Sequence, residues 1–200
     1  MLAEIPAEIM HIASQFVHQD EYREGITCIH LMPQSSGIRI ASTNGHIAFR
    51  CLVPYGPQCF MQNEAGMGNE PLLLTAAPFK KKVAYARKVS IENDTATFIG
   101  GKKELMEMLE ARPCKPSAYT FPEQFDNLWP EPIKEGTGFW QFAFDASYMK
   151  IISTIIEKYT DKGIAKVRLG FTPTSPITII ADNDGLELQF LLMPVQVREW

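Results

Sequence analysis

The sequence lacks the signals that mark the commonest enzyme classes. It has no G-x-x-x-x-G-K-[ST] phosphate loop, and no G-x-G-x-x-G follows a strand-like run, so no nucleotide fingerprint is present. H-E-x-x-H and the G-x-S-x-G nucleophile elbow are also missing. Cysteine is scarce: Cys28, Cys51, Cys59 and Cys114 show no C-x-x-C spacing, and Cys28 and Cys51 sit in apolar runs. They read as small buried hydrophobes of a reducing cytoplasm. His11, His18, His30 and His46 never meet cysteines at zinc spacing. His11 and His18 share one helix, where a metal pair is conceivable and a surface or groove position is the commoner outcome. No apolar run approaches the ~20 residues of a membrane span. The N-terminus carries Glu4 and Glu8 without a basic stretch, unlike a secretory signal. Asn93-Asp94-Thr95 then reads as a turn. The expectation is a soluble cytoplasmic protein that is not an enzyme, with no metal and no cofactor.

What is present is ordinary globular material. The chain has 200 residues, 46% of them hydrophobic, enough for a core and for about a domain and a half. Lys plus Arg is 19 against 23 for Asp plus Glu, a formal net charge of -4. This excludes a protein coated all over with positive charge, but not one that gathers its lysines on a single face.

The hydrophobic period changes along the chain. Ile5, Ile9, Ile12, Ala13, Phe16 and Val17 paint one face of a helix. Alternating runs follow around 26–31, 38–42 and 46–53, separated by turn residues at 33–37 and Asn44-Gly45. Residues 54–71 have loop chemistry. A second round starts with a strand at 72–75, a helix over 79–87 opened by Pro78, and a hairpin from Val89 to Ile99. Residues 103–111 carry Leu105, Met108 and Leu109 at helical spacing. A proline-rich irregular piece spans 113–132. The third round has a strand at 140–144, Asp145 as N-cap of a helix bearing Tyr148, Met149, Ile151, Ile152, Ile155 and Ile156, and strands at 165–171, 177–181 and 186–197. The order of elements thus repeats three times at roughly 60 residues.

Basic residues cluster within this repeat. Lys80, Lys81, Lys82, Arg87 and Lys88 fall on the second helix and its exit, and Lys150, Lys158 and Lys162 on the third. Ordinary solvated lysines are the plain reading. Recurrence on the corresponding helix of a repeated unit instead suggests a local basic track for phosphates.

Several stretches resemble the bacterial sliding clamp, the beta subunit of replicative DNA polymerase. Ala41-Ser42-Thr43-Asn44-Gly45-His46-Ile47-Ala48 is similar to the family's ATDGHRLA segment. Phe121-Pro122 ahead of Leu128-Trp129-Pro130 resembles its FPDY…LP segment. Leu191-Leu192-Met193-Pro194-Val195 resembles the terminal VVMPMRL, and Phe144-Asp145-Ala146-Ser147-Tyr148 the FNVSY before the last helix. The resemblance implies an α+β DNA-clamp fold of repeated half-domain units, one helix on antiparallel strands. A complete domain is expected over 1–132, with units at about 1–54 and 71–132, and a half domain over 137–200. It also turns 103–111 into a strand.

The resemblance further implies a processivity factor that encircles duplex DNA non-specifically in an oligomeric ring. Lys80, Lys81, Lys82, Arg87, Lys150 and Lys158 would meet the phosphate backbone. Thr43, Gly45, His46, Pro122, Tyr148, Met193, Pro194 and Val195 match the pocket that takes DNA polymerase or other clamp-binding peptides. Ile47-Ala48 replaces the family's Arg-Leu, and Asp145 its Asn. A lone third unit is expected to pair with its counterpart in another chain, giving a homo-oligomer, a dimer or tetramer, with no membrane involved. The alternative is a clamp-like binding module or competitor that holds peptides and never encircles DNA.

Overall fold

The computed structural model describes residues 2–18, 25–57, 59–62, 71–81, 86–92, 94–102, 105–115, 117, 120–129, 144–160, 163–168 and 175–195, with the backbone alone for 62, 101, 102 and 105–109. They divide into two compact units, Met1–Asn44 with Arg50–Phe121 and Gly45–Phe49 with Pro122–Trp200.

In the first unit, strand β1 (Leu2–Pro6) buries Ala3 and Ile5 between half-exposed neighbours. Pro6 ends the strand and leads into helix α1 (Ala7–Ser14). The helical face expected from Ile5 onward therefore begins two residues later, because Ile5 belongs to a strand. Strands β2 (Cys28–Gln34), β3 (Gly37–Thr43) and β4 (Ile47–Pro54, Arg50 onward in this unit) follow as the alternation predicts. Ser42 Oγ donates to the Ala13 carbonyl at 2.7 Å and fastens the end of α1 to β3. After β5 (Phe60–Gln62) and β6 (Leu72–Thr75) comes a 3-10 turn, Ala77–Phe79, then β7 (Ala86–Glu92), β8 (Thr95–Lys102) and β9 (Leu105–Pro113).

The expected helix over 79–87 is corrected here. Pro78 opens a single 3-10 turn, Lys80 and Lys81 lie just past it, and Ala86 and Arg87 are already in β7. Lys82 and Lys162 lie outside the described residues. By contrast, the strand implied for 103–111 is present from Leu105: β9 pairs with β8 from Thr95↔Pro113 to Lys102↔Leu105, and strand pairing outweighs the local helical spacing.

The pairing in this unit is reciprocal. Strand β1 precedes α1, yet it joins β7, from Leu2↔Glu92 to Pro6↔Lys88. Strand β6 precedes the 3-10 turn, yet it joins β2, from Cys28↔Thr75 to Leu31↔Leu72. Each repeat thus lends its leading strand to the sheet of the other. One sheet runs β5-β1-β7-β8-β9, and in the other β6 flanks β2, which flanks β3. Lys88, nearly buried, pairs with Glu4 across the β1–β7 seam.

The second unit holds helix α2 (Ala146–Tyr159), β10 (Ala165–Arg168), β11 (Ile177–Asn183), β12 (Leu186–Leu192) and the opening residues of β4. Asp145 caps α2 as expected: its Oδ1 accepts from the Ser147 amide at 2.8 Å and from Ser147 Oγ at 2.6 Å. The hairpin joining β11 and β12 turns at Asp184 and Gly185, both at positive φ, the geometry of a two-residue hairpin loop. Strand β12 stops at Leu192, short of the expected 197, and the expected strand at 140–144 lies outside the described residues except for Phe144, which is exposed. All four cysteines are free and buried. Burial pushes the Cys59 thiol up to about 11 and the Cys114 thiol to about 12, so both stay protonated and inert at neutral pH.

Candidate peptide pocket and basic surface

Seven of the eight expected pocket residues fall in the second unit; Thr43, at the end of β3, falls in the first. Gly45 sits at φ 90° in the turn before β4, which places His46 immediately ahead of that strand. The His46 ring stacks on Tyr148, centroids 5.6 Å apart and planes 16° from parallel. The Met193 amide donates to the His46 carbonyl at 2.9 Å, directly past the end of β12. Three sequence-distant segments, 45–46, the first turn of α2 and 193–195, therefore converge around one aromatic pair. Met193 and Pro194 are half-buried and Val195 is exposed. Pro122 is exposed, and its carbonyl accepts from the Phe125 amide at 3.1 Å, setting the 3-10 turn Phe125–Leu128.

Asp145 was legible as a cap but not as a member of this cluster. The Ser147 hydroxyl and amide hold its carboxyl below the usual range, and His46 adds a smaller pull in the same direction. The signal was in the spacing: an N-cap at 145 puts Tyr148 in the first turn, on the same end of the helix.

The basic residues divide differently from the expectation. The carbonyls of Phe79, Lys80 and Lys81 are each bonded to a side chain: His11 Nδ1 to Phe79 at 2.9 Å, Gln15 Nε2 to Lys80 at 3.4 Å, and Arg112 Nη1 to Lys81 at 3.1 Å. Arg112 also donates to the Pro78 carbonyl and forms two 2.6 Å bonds with Glu110. Lys80 and Lys81 are exposed on this pinned turn, and Arg87 is exposed on β7. Arg112 was not singled out from sequence, because its role depends on β9 being a strand. Lys150 and Lys158 are exposed on α2, but Glu157 lies almost in line with Lys150 at two-turn spacing, so the stripe is mixed in sign. Lys158 Nζ stands 5.6 Å over the Tyr159 ring. Among the described residues no three His, Cys, Asp or Glu side chains converge as a metal site.

Repeats of one helix or turn on antiparallel strands, with leading strands exchanged, define a DNA-clamp fold. Solved structures carry the same fold. The chain is similar to the DNA polymerase sliding clamp of Bacillus subtilis, at 12% identity and a TM-score of 0.67, over 99% of this chain and 65% of that one. It is also similar to a DNA polymerase III subunit beta from Pseudomonas aeruginosa bound to griselimycin (12% identity, TM-score 0.65, 98% and 66% covered). The H. pylori beta clamp in complex with diflunisal matches at 9% identity and TM-score 0.67, over 98% and 66%. The chain thus spans about two thirds of the length of these clamps. No family model and no curated protein matches the sequence.

Proposed function

We propose that the chain is a sliding-clamp-like processivity factor, a cytoplasmic, non-enzymatic protein that encircles duplex DNA in an oligomeric ring and holds DNA polymerase or similar peptides. The observation that carries this reading is the convergence of His46, Tyr148 and Met193 within a clamp fold, at positions the family resemblance assigns to a peptide pocket. The complete domain over 1–132 and the half domain over 137–200 are part of the proposal. Lys80, Lys81, Lys82, Arg87, Lys150 and Lys158 are its phosphate-facing residues.

Peptide binding is tested by fluorescence anisotropy with a labelled clamp-binding peptide. His46→Ala removes the aromatic face that stacks on Tyr148 and is expected to weaken binding roughly tenfold. Unchanged affinity would sink the pocket. DNA retention is tested on circular against linearised plasmid, since a ring slides off ends. Reversing Lys80 and Lys81 to Glu is expected to lower the salt slope of retention by about 1 for each phosphate no longer neutralised.

A second reading is favoured by a specific observation: among the described residues of the expected basic helix, Phe79 lies in a 3-10 turn and Ala86 and Arg87 in a strand, and Glu157 interrupts the stripe on α2. A clamp-like competitor for peptides would keep the His46 effect and show no retention on circular DNA.

A further inference from the structure

We infer that Arg112 is a further phosphate-binding residue of the basic surface, and that Glu110 holds its guanidinium fork as an internal placeholder which a phosphate of the DNA backbone must displace. The inference deepens the proposed DNA-binding reading and rests on it for the identity of the ligand. The arrangement it starts from lies wholly within the first unit.

The strand period puts Glu110 and Arg112, two residues apart, on one face of β9. Glu110 is paired with Phe98 of β8, so the buried Phe98 ring lies on that face too. The Arg112 guanidinium stands over this ring, 4.7 Å from its centroid. With the plane of the guanidinium set, its two edges have separate duties. Nη1 donates to the Pro78 carbonyl and, at 3.1 Å, to the Lys81 carbonyl. Nε and Nη2 form the other edge, and each donates to one Glu110 oxygen at 2.6 Å. Two parallel bonds of this kind fit a phosphate as well as a carboxylate.

The charges around the fork favour an anion. Arg112 fastens the turn that carries Lys80 and Lys81, both exposed. Hydrogen bonding from Arg112 holds the Glu110 carboxyl below its ordinary range, and Lys81 adds a smaller pull in the same direction. Three cations thus surround one carboxylate. Glu110 is the outer member of the pair, its side chain 45% exposed against 13% for Arg112. An arriving phosphate meets the carboxylate first and the fork behind it. An ion pair this open to water is weakly held, so trading one oxyanion for another costs little. A single phosphate offers no more than the carboxylate it replaces. A DNA backbone offers neighbouring phosphates to Lys80 and Lys81 at the same time, and that surplus tips the exchange.

Substitutions in the full chain separate the fork from bulk charge. Affinity for a short labelled DNA duplex, read by anisotropy, should rise roughly fivefold in Glu110→Gln, with a salt slope steeper by about 1. Glu92→Gln removes the same charge from an exposed position at the end of β7 and should change affinity by less than about twofold. Arg112→Lys keeps the charge and loses the fork, so in that background Glu110→Gln should gain no more than Glu92→Gln does. In nuclear magnetic resonance, inorganic phosphate should move the Arg112 Nε–H signal of Glu110→Gln but not that of the wild type, which only the duplex moves. This second measurement leaves Arg112 intact and stands even where Arg112→Lys fails to fold. Equal gains from Glu110→Gln in both backgrounds would overturn the inference, as would an Arg112 signal in Glu110→Gln that neither phosphate nor duplex shifts. Retention on circular plasmid separates the two ideas. No retention alongside the duplex gain defeats the ring alone, and retention without coupling between Glu110 and Arg112 defeats the inference alone.

Discussion

The two helices show how differently one repeat can be completed. In α1, six of eight residues are buried, because β1 and β7 cover one side and β2 and β3 the other. In α2, four of fourteen are buried, all on the single stripe Ile152, Ile155, Ile156 and Tyr159 that faces its own strands. The sequences differ accordingly: α1 keeps only a narrow polar arc of Glu8, His11 and Ser14, whereas α2 has one greasy stripe and a polar remainder. Burial on one side is what a helix shows when, among the described residues, it packs on a single sheet.

The largest expected effect breaks this contrast at the packed helix. Ile12→Ala should cost about 4 kcal/mol in urea unfolding, since a side chain enclosed on all sides leaves a cavity that cannot collapse. Ile155→Ala, against a wall open on one side, should cost about 2 kcal/mol. Equal losses would mean that α2 is enclosed in solution.

A finer probe uses two glycines at positive φ. A Cβ at Gly25 would meet the Thr120 carbonyl oxygen at 2.2 Å, while at Gly185 nothing lies within 4 Å. Gly25→Ala should therefore destabilise by about 3 kcal/mol, combining strain and clash, and Gly185→Ala by about 1 kcal/mol, strain alone. Thermal melts of the two variants at equal concentration check the difference.

The smallest effect concerns the cap. Asp145 carries a carboxyl held below its ordinary range in the folded chain, so its contribution is fully present above the unfolded value. It is lost as pH falls through the depressed folded value. Asp145→Ala should lower the melting temperature slightly at neutral pH and not at all in strong acid. A difference that persists undiminished in acid would remove the carboxylate from the explanation.

Much of the architecture was legible because it obeys short-range rules. Asp145 ahead of an apolar stripe marks a helix start, and Asp184-Gly185 between alternating runs marks a hairpin. The failures are tertiary in origin. Ile5 fits a helical face equally well, and only pairing with Val89 makes it a strand residue. Leu105, Met108 and Leu109 keep helical spacing although β8 claims them. The basic cluster suffered most: Pro78 is a fair helix opener, but the chain must already be extended at Ala86 to reach β1. His46, Tyr148 and Met193 could be grouped only through resemblance, since no local pattern links residues 46 and 193.

The exchange of leading strands also orders events in time. Leu2 pairs with Gln62 on one side and with Glu92 on the other, so β1 gains its second hydrogen-bonding neighbour only once a strand some ninety residues further along the chain has formed. Neither repeat can then open by itself, because unzipping β1 exposes the sheet of the other. Loss of residues 2–4 would consequently be felt in both neighbours of β1, as a faster local opening of β5 and of β7, the latter encoded some ninety residues downstream.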